Sequence, residues 1–241
     1  SPAGGRVDTL VGEMLESETV VDDQQQALGL LAKRGWFRHS GEAMHHGSIL
    51  REMGQVGDRL GRRVRGRAGA LEEVVEPRHL DEAHPRSLSA RYGLGALPFH
   101  VELSHRTRPC RYVLLGCIDP GSPSAATMLL DWRTLGFSRE ELSLLEEAPV
   151  LVRAGRHSFY STILARGGAF LRYDPGCLEA VDERGQRALR LVEDRIVGAP
   201  TDEHHWHQGD ILIIDNWRVL HGRSPSDRGS GRRLARILID A

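Results

Sequence analysis

Residues 207–225 read HQGDILIIDNWRVLHGRSP. Gly209-Asp210 marks a turn, and the run Ile211–Asp215 behind it has the length and composition of a strand. The same texture recurs in Tyr112–Ile118, Val150–Arg153, Ser158–Leu164, Ala169–Tyr173 and Leu234–Asp240. Many short β-type runs separated by Gly and Pro turns argue for a sandwich or barrel. Helical periodicity lies elsewhere. Asp22–Trp36 carries Ala27, Leu28, Leu30 and Leu31 on one side, and Gly47–Gly61 spaces Ile49, Leu50, Met53, Val56 and Leu60 as one helical face. Asp182–Val197 sets Ala188, Leu189, Val192 and Ile196 opposite its charges, and Ser138 with Glu141 opens Ser138–Glu147 as a capping box. No repeat or low-complexity linker divides the chain. It reads as one domain over 1–241, mainly helical over 1–90 and β-rich over 91–241: mainly β with flanking helices.

Composition narrows the function. Lys+Arg is 32 against Asp+Glu 33, a net charge of -1. Nucleic-acid binding normally shows a basic excess or face, so no nucleic-acid partner is expected. No run approaches the roughly 18 apolar residues of a membrane span, and no membrane partner is expected. The opening SPAGGRVDTL has no apolar signal core, which predicts no export. Cys110, Cys117 and Cys177 form no C-x-x-C pair and read as small buried hydrophobes in a reducing cytoplasm. Oligomeric state is not legible. Lys33 is the one lysine among those 32 cations, a bias that first suggests codon usage.

The chemistry starts at His100-Val101-Glu102. On a strand, residues i and i+2 share a face, so the imidazole and the carboxylate can aim at one point. His221 supplies a second, remote imidazole. Two histidines and a carboxylate suit a non-haem Fe(II) site that leaves positions open for a co-substrate and dioxygen. H-x-E alone reads equally well as a surface ion pair. Arg232 follows His221 by eleven residues, then Arg233 and Arg236. On a strand, 232, 234 and 236 share a face, and a guanidinium binds a carboxylate bidentately.

With these residues in place, the chain resembles the taurine dioxygenase / clavaminate synthase-like family of Fe(II)- and 2-oxoglutarate-dependent oxygenases. The resemblance runs through SLSARYGLGALPFHVELSH (87–105), RYVLLGCIDPGSPSAATMLL (111–130), AFLRYDPGCLEA (169–180), and 207–225 through GRRLARILI (231–239), about two-thirds of the chain. It implies a double-stranded β-helix (jelly-roll) core, with Fe(II) held by His100, Glu102 and His221. It implies that Thr127, Arg232 and Arg236 hold 2-oxoglutarate: one arginine grips the distal carboxylate and the other sits near the 1-carboxylate or the substrate. Arg233 leaves the register open by one residue and reads as outward-facing. Glu in place of the commoner Asp resembles the clavaminate synthase-like branch, several of whose members oxidise amino acids or their derivatives. It also argues against halogenation, where a small residue replaces this ligand. The implied reaction uses O2 to oxidise an unactivated C–H, most simply by hydroxylation, of a small amino-acid-like or natural-product substrate, free or carrier-bound. Succinate and CO2 leave.

Other residues read less sharply. Ser87, Ser89, Arg91 and Tyr92 precede the first ligand and are candidate cavity residues, or else a structural loop. Arg172 and Asp174 are placed on a core strand with matching parity, where they can hold the carboxylate and amine of an amino acid or form an internal ion pair. Asn216 and Arg218 are candidate supports of the metal ligands. His204, His205 and His207 alternate faces before a turn and read as surface or loop histidines, as do His45 and His46. His105 borders the pocket or does nothing there. The four tryptophans read as packing residues. Two other classes compete: a metal-dependent hydrolase on the same ligands, and a non-catalytic β-sandwich binding module. Neither has a use for paired arginines at the terminal strand.

Overall fold

The structure is a computed structural model that describes residues 26–40, 46–83 and 87–241, and for His46 the backbone alone. Residues 22–25 of the first helical run, the opening SPAGGRVDTL and His45 lie outside the described residues.

The described part of helix α1 is 26–34. Strand β1 (Trp36–Ser40), helix α2 (His46–Leu60), and strands β2 (Arg62–Val64) and β3 (Glu72–Val75) follow. Next come α3 (Ser89–Tyr92), β4 (Leu97–His100), β5 (Tyr112–Asp119), β6 (Thr127–Asp131) and α4 (Arg139–Glu147). The chain ends with β7 (Val150–Val152), β8 (Phe159–Ser161), β9 (Leu178–Ala180), α5 (Glu183–Ile196), β10 (Asp202–His204), β11 (Asp210–Asp215), β12 (Val219–Arg223) and β13 (Arg233–Asp240).

Two antiparallel sheets make the core. The larger runs β1-β11-β5-β13-β2, with β3 also paired to β13; the smaller runs β10-β6-β12-β4. Period-two alternation explains their layering. On β11, Leu212 and Ile214 face inward and pack with Val113, Leu115, Leu129, Val219 and Leu234 between the sheets. Ile211 and Ile213 face the other way, against Leu31, Ile49 and Met53 of the two N-terminal helices. Both faces of β11 are therefore apolar, which is why the sequence there is a continuous run. Gly116 on β5 lets α2 close down: a Cβ there would stand 2.3 Å from Met53 Sδ. The outer face of the smaller sheet, through Leu130 and Leu220, meets α4, α5 and the small sheet β8-β7-β9. Facing sheets with helices outside form the double-stranded β-helix core.

Helices α4 and α5 start where their caps lie. Ser138 and Glu141 form the reciprocal capping box, and Asp182 accepts from the Gly185 N–H. One expectation needs an addition and one a correction. The part expected to be mainly helical carries α1 and α2 and also contributes three strands, β1, β2 and β3, each at the edge of the larger sheet. Such strands are too short to show a local period and exist because β11 and β13 offer them open edges. Ala169–Tyr173 is not a strand; Leu171 makes one isolated bridge to Leu164.

Candidate active site

The site lies where β12 meets β4. His221 pairs directly with His100 across this ladder, and the register shifts between His221 and Arg223. Gly222 permits the close approach, because a Cβ there would stand 2.7 Å from the Leu97 carbonyl oxygen. The two imidazoles consequently sit with centroids 4.4 Å apart.

Glu102 joins them from a different geometry than strand parity implies. Strand β4 stops at His100, and Glu102 sits in the turn that follows, where Leu103 takes φ 57. A left-handed leucine is unfavourable by about 1–2 kcal/mol, and buried packing of Leu103 and Asn216 hold it there. The Glu102 N–H donates to Asn216 Oδ1 (2.8 Å), and Asn216 Nδ2 donates to the carbonyls of Glu102 (3.0 Å) and Cys110 (2.8 Å). Ligand atoms of His100, Glu102 and His221 all fall within 4.8 Å of one another, and no other such group occurs among the described residues.

Protonation suits a cation. His100 Nδ1 lies 3.0 Å from the Pro98 carbonyl, which can only accept, so Nδ1 carries a proton and Nε2 is the ring nitrogen left to face the site. Burial and the neighbouring His100 press His221 down to about 3, so its imidazole is neutral. Burial alone would push the Glu102 carboxyl up, but Arg236 and the two imidazoles outweigh it and hold it at about 2.

The two arginines expected to act as a pair have different surroundings. Arg232 is 6% exposed. Its Nη2 donates to Thr127 Oγ1 (3.1 Å), its Nε is buried without a partner, and no carboxylate is paired with it among the described residues. Thr127 Oγ1 also accepts from Trp206 Nε1 (3.0 Å). With two N–H donors on that oxygen, the threonine proton is left to point at a third acceptor. Burial beside Arg223 lowers the Arg232 guanidinium to about 10, yet it stays cationic at neutral pH. A buried cation next to an outward-donating hydroxyl fits an incoming carboxylate. Arg236, in contrast, donates to Glu102 Oε2 (2.8 Å) and to Glu73. It therefore braces the Glu102 carboxylate. Arg233 points outward to Glu76.

His100, Glu102, His221, Thr127, Arg232, Arg236, Ser89 and Asp174 line one cavity of about 340 Å³, with Arg67 and Glu73. A second chamber of about 500 Å³ adjoins it, sharing Arg67, Ser87, Leu88 and Gly176, and Arg91 and His105 lie on its wall. Tyr92 lines neither.

Arg172 is a correction. It is 1% exposed and gives its donors to the carbonyls of Ser104, Arg106 and Thr107, so it fastens the loop behind Glu102 and does not reach the cavity. Off a strand, 172 and 174 do not share a face; Asp174 does meet the cavity while its Oδ1 accepts from Gly176 N–H. Arg218 holds Asp131 and the carbonyls of Ala32 and Lys33, tying α1 to the core. His204 is a second correction: it is buried, edge-on to Trp206 and 3.6 Å from Asp210, whereas His205 and His207 are exposed. Sequence reasoning missed Glu73, Trp206, Arg223 and Arg67. Trp206, set just before a strand beside His204, carried the one usable signal.

Residues 148–238, which contain His221, Arg232 and Arg236, match the family model described as Taurine catabolism dioxygenase TauD, TfdA family. A clavaminate synthase-like protein of Arabidopsis thaliana is 49% identical over 39 residues, 16% of this chain and 10% of its own. The 3-((Z)-2-isocyanoethenyl)-1H-indole synthase of Fischerella ambigua (strain UTEX 1903) is 35% identical over 63 residues, 26% of this chain and 23% of its own. The chain thus matches a quarter or less of the length of these curated relatives. Among solved structures, asparagine oxygenase in complex with Fe(II), 2S,3S-3-hydroxyasparagine and succinate superposes with a TM-score of 0.72 at 19% identity, covering 91% of this chain and 80% of that one. The non-heme iron oxygenase OrfP, in complex with Fe, succinate and (3S)-hydroxy-L-Arg, gives 0.70 at 17% identity with coverage of 91% and 80%. The fold is shared with both.

Proposed function

We propose that this chain is an Fe(II)- and 2-oxoglutarate-dependent dioxygenase that hydroxylates an unactivated C–H of a small amino-acid-like or natural-product substrate. The observation that carries this is one cavity holding both a convergent His100–Glu102–His221 set and a buried Arg232 that meets no carboxylate among the described residues. A metal-dependent hydrolase has no role for the second feature. The likeness to oxygenases solved with hydroxylated asparagine and arginine supports an amino-acid-like substrate. A cytoplasmic setting is supported by three cysteines that are buried and unpaired.

Fe(II), 2-oxoglutarate and O2 together supply the oxidation, with 2-oxoglutarate leaving as succinate and CO2. The chain's own residues bind and orient. His100, Glu102 and His221 would hold the metal through two imidazole nitrogens and one ionised carboxylate. Arg232 takes the distal carboxylate of 2-oxoglutarate, Thr127 donates its hydroxyl proton to it, and Trp206 fixes Thr127. Arg236, held by Glu73, keeps Glu102 charged and aimed. Ser89 and Asp174 face the substrate side, and Leu97, Leu103, Leu115 and Leu234 keep water from the wall.

Anaerobic titration with Fe(II) and 2-oxoglutarate tests the reading. A weak visible charge-transfer band that is absent in His221→Ala is the expected result. A wild-type protein with no band would sink it.

A further inference from the structure

The cavity wall that carries His221 and Arg232 also carries Arg223, a second buried cation short of an anion. Arg223 is 5% exposed. It stands on β12 in the same parity as His221, so both side chains take the inward face. Across the ladder Arg223 is the direct partner of Thr127, and directly opposite residues share a face. Thr127 Oγ1 is also the atom that accepts from Arg232 Nη2. The hydroxyl is thereby the common neighbour of two guanidinium groups. Arg223 is held in place without being neutralised. Its Nη2 donates to the carbonyls of Gly93 and Gly95, both at 2.8 Å, in the turn between α3 and β4. Neutral carbonyls orient a guanidinium but do not cancel its charge. Its Nε is buried without a hydrogen-bond partner, as is that of Arg232, and no carboxylate is paired with either among the described residues. Arg236 is the contrast, matched by the carboxylates of Glu102 and Glu73. Buried charge without a partner is costly, and an arriving anion relieves it.

We infer that Arg223 is a further binding residue for 2-oxoglutarate: it meets the same distal carboxylate as Arg232 and Thr127, and so makes the seat selective for a 2-oxo acid that is negatively charged at its far end. The identity of the acid rests on the oxygenase reading, but the anion seat is testable by itself. A carboxylate offers two oxygens and about four lone-pair sites, enough for the Thr127 proton and two guanidinium donors. The bonds to Gly93 and Gly95 fix Arg223 before the acid arrives, which spares the cost of ordering a long side chain on binding.

Anaerobic calorimetric titration of the full chain with Fe(II) present compares 2-oxoglutarate with 2-oxopentanoate, an acid of equal chain length that ends in a methyl group. Arg223→Met should weaken 2-oxoglutarate about tenfold or more and leave 2-oxopentanoate unchanged. Loss of the Gly93 and Gly95 fastening alone would weaken the two acids alike. Arg223→Lys, which restores a cation without the fork, should recover part of the 2-oxoglutarate affinity. If the methionine variant does not melt cooperatively, Arg223→Gln takes its place and is read the same way. Unchanged 2-oxoglutarate affinity, an equal loss for both acids, or a lysine variant no better than the methionine one overturns the inference, and the wild-type charge-transfer band still upholds the oxygenase reading. Arg223-dependent binding of 2-oxoglutarate to a protein that shows no such band would instead count against the oxygenase reading alone. A wild type that binds no 2-oxoglutarate overturns both.

Discussion

Asn216 holds the backbone of Glu102 from both sides, accepting its N–H at 2.8 Å and donating to its carbonyl at 3.0 Å, across 114 residues of sequence. A fully buried amide thereby fixes the turn that presents the carboxylate. Asn216→Ala strands the Glu102 N–H and the Glu102 and Cys110 carbonyls. It should cost about 2–4 kcal/mol of stability and weaken Fe(II) binding by roughly 10–100-fold. Urea unfolding and a metal titration check it; an unchanged unfolding midpoint would refute the clamp.

Arg232 is a buried cation with no acidic partner among the described residues, so its removal should have opposite effects on two observables. Arg232→Met should leave the protein without 2-oxoglutarate as stable or more so, since an uncompensated charge leaves the interior. The same change should raise the 2-oxoglutarate Kd by about 30-fold or more, the loss expected of a buried charged hydrogen-bond partner. Arg233→Ala should do neither. Thermal melts with and without 2-oxoglutarate separate the outcomes, and a variant still stabilised by 2-oxoglutarate would exclude Arg232 as the grip.

Arg236 should behave in the contrary way. Arg236→Met leaves Glu102 and Glu73 facing each other without their shared cation, a loss of about 3–5 kcal/mol. Adding Glu73→Gln to that variant should recover part of the loss. Chemical denaturation of the two variants decides it, and an Arg236→Met protein as stable as Arg232→Met would show that the brace is absent.

Acid should unfold the protein in two stages. His105, His204 and His221 have folded values depressed from 6.5 to about 4, 4 and 3. The unfolded chain therefore takes protons first, so their contribution is full above pH 6.5 and shrinks as pH falls toward 3. Glu102, depressed from 4.5 to about 2, adds a further loss below 4.5. Stability measured by urea from pH 7.5 to 4 should fall steadily, and less steeply in His204→Gln. A flat profile, or one rising toward acid, would contradict the buried neutral imidazoles.

Legibility followed the range of the interactions. Ile211–Asp215, the Ser138–Glu141 capping box and the α5 stripe are set by neighbours within a few residues, and all appear as read. Ala169–Tyr173 had strand composition but no open ladder to join, and β1 and β3 had weak local signals but open edges to fill. Glu102 was read at the right place for a partial reason: it converges with His100 through the Leu103 turn, not through strand alternation.

The sequence by itself determined the residue types of the site and their order: His100, Glu102, His221 and the terminal arginines stand in a spacing that suits one metal and one dicarboxylate. What each arginine does was decided by tertiary structure. Arg232, just before β13, and Arg236, within it, are the same residue four positions apart, and residue type alone does not distinguish them. Glu73, arriving on β3 from 163 residues away, neutralises Arg236, while Thr127 and Trp206 leave Arg232 a cation still short of its anion. Charge can be counted along a chain, but whether a buried charge is already paired depends on which distant segments fold against it.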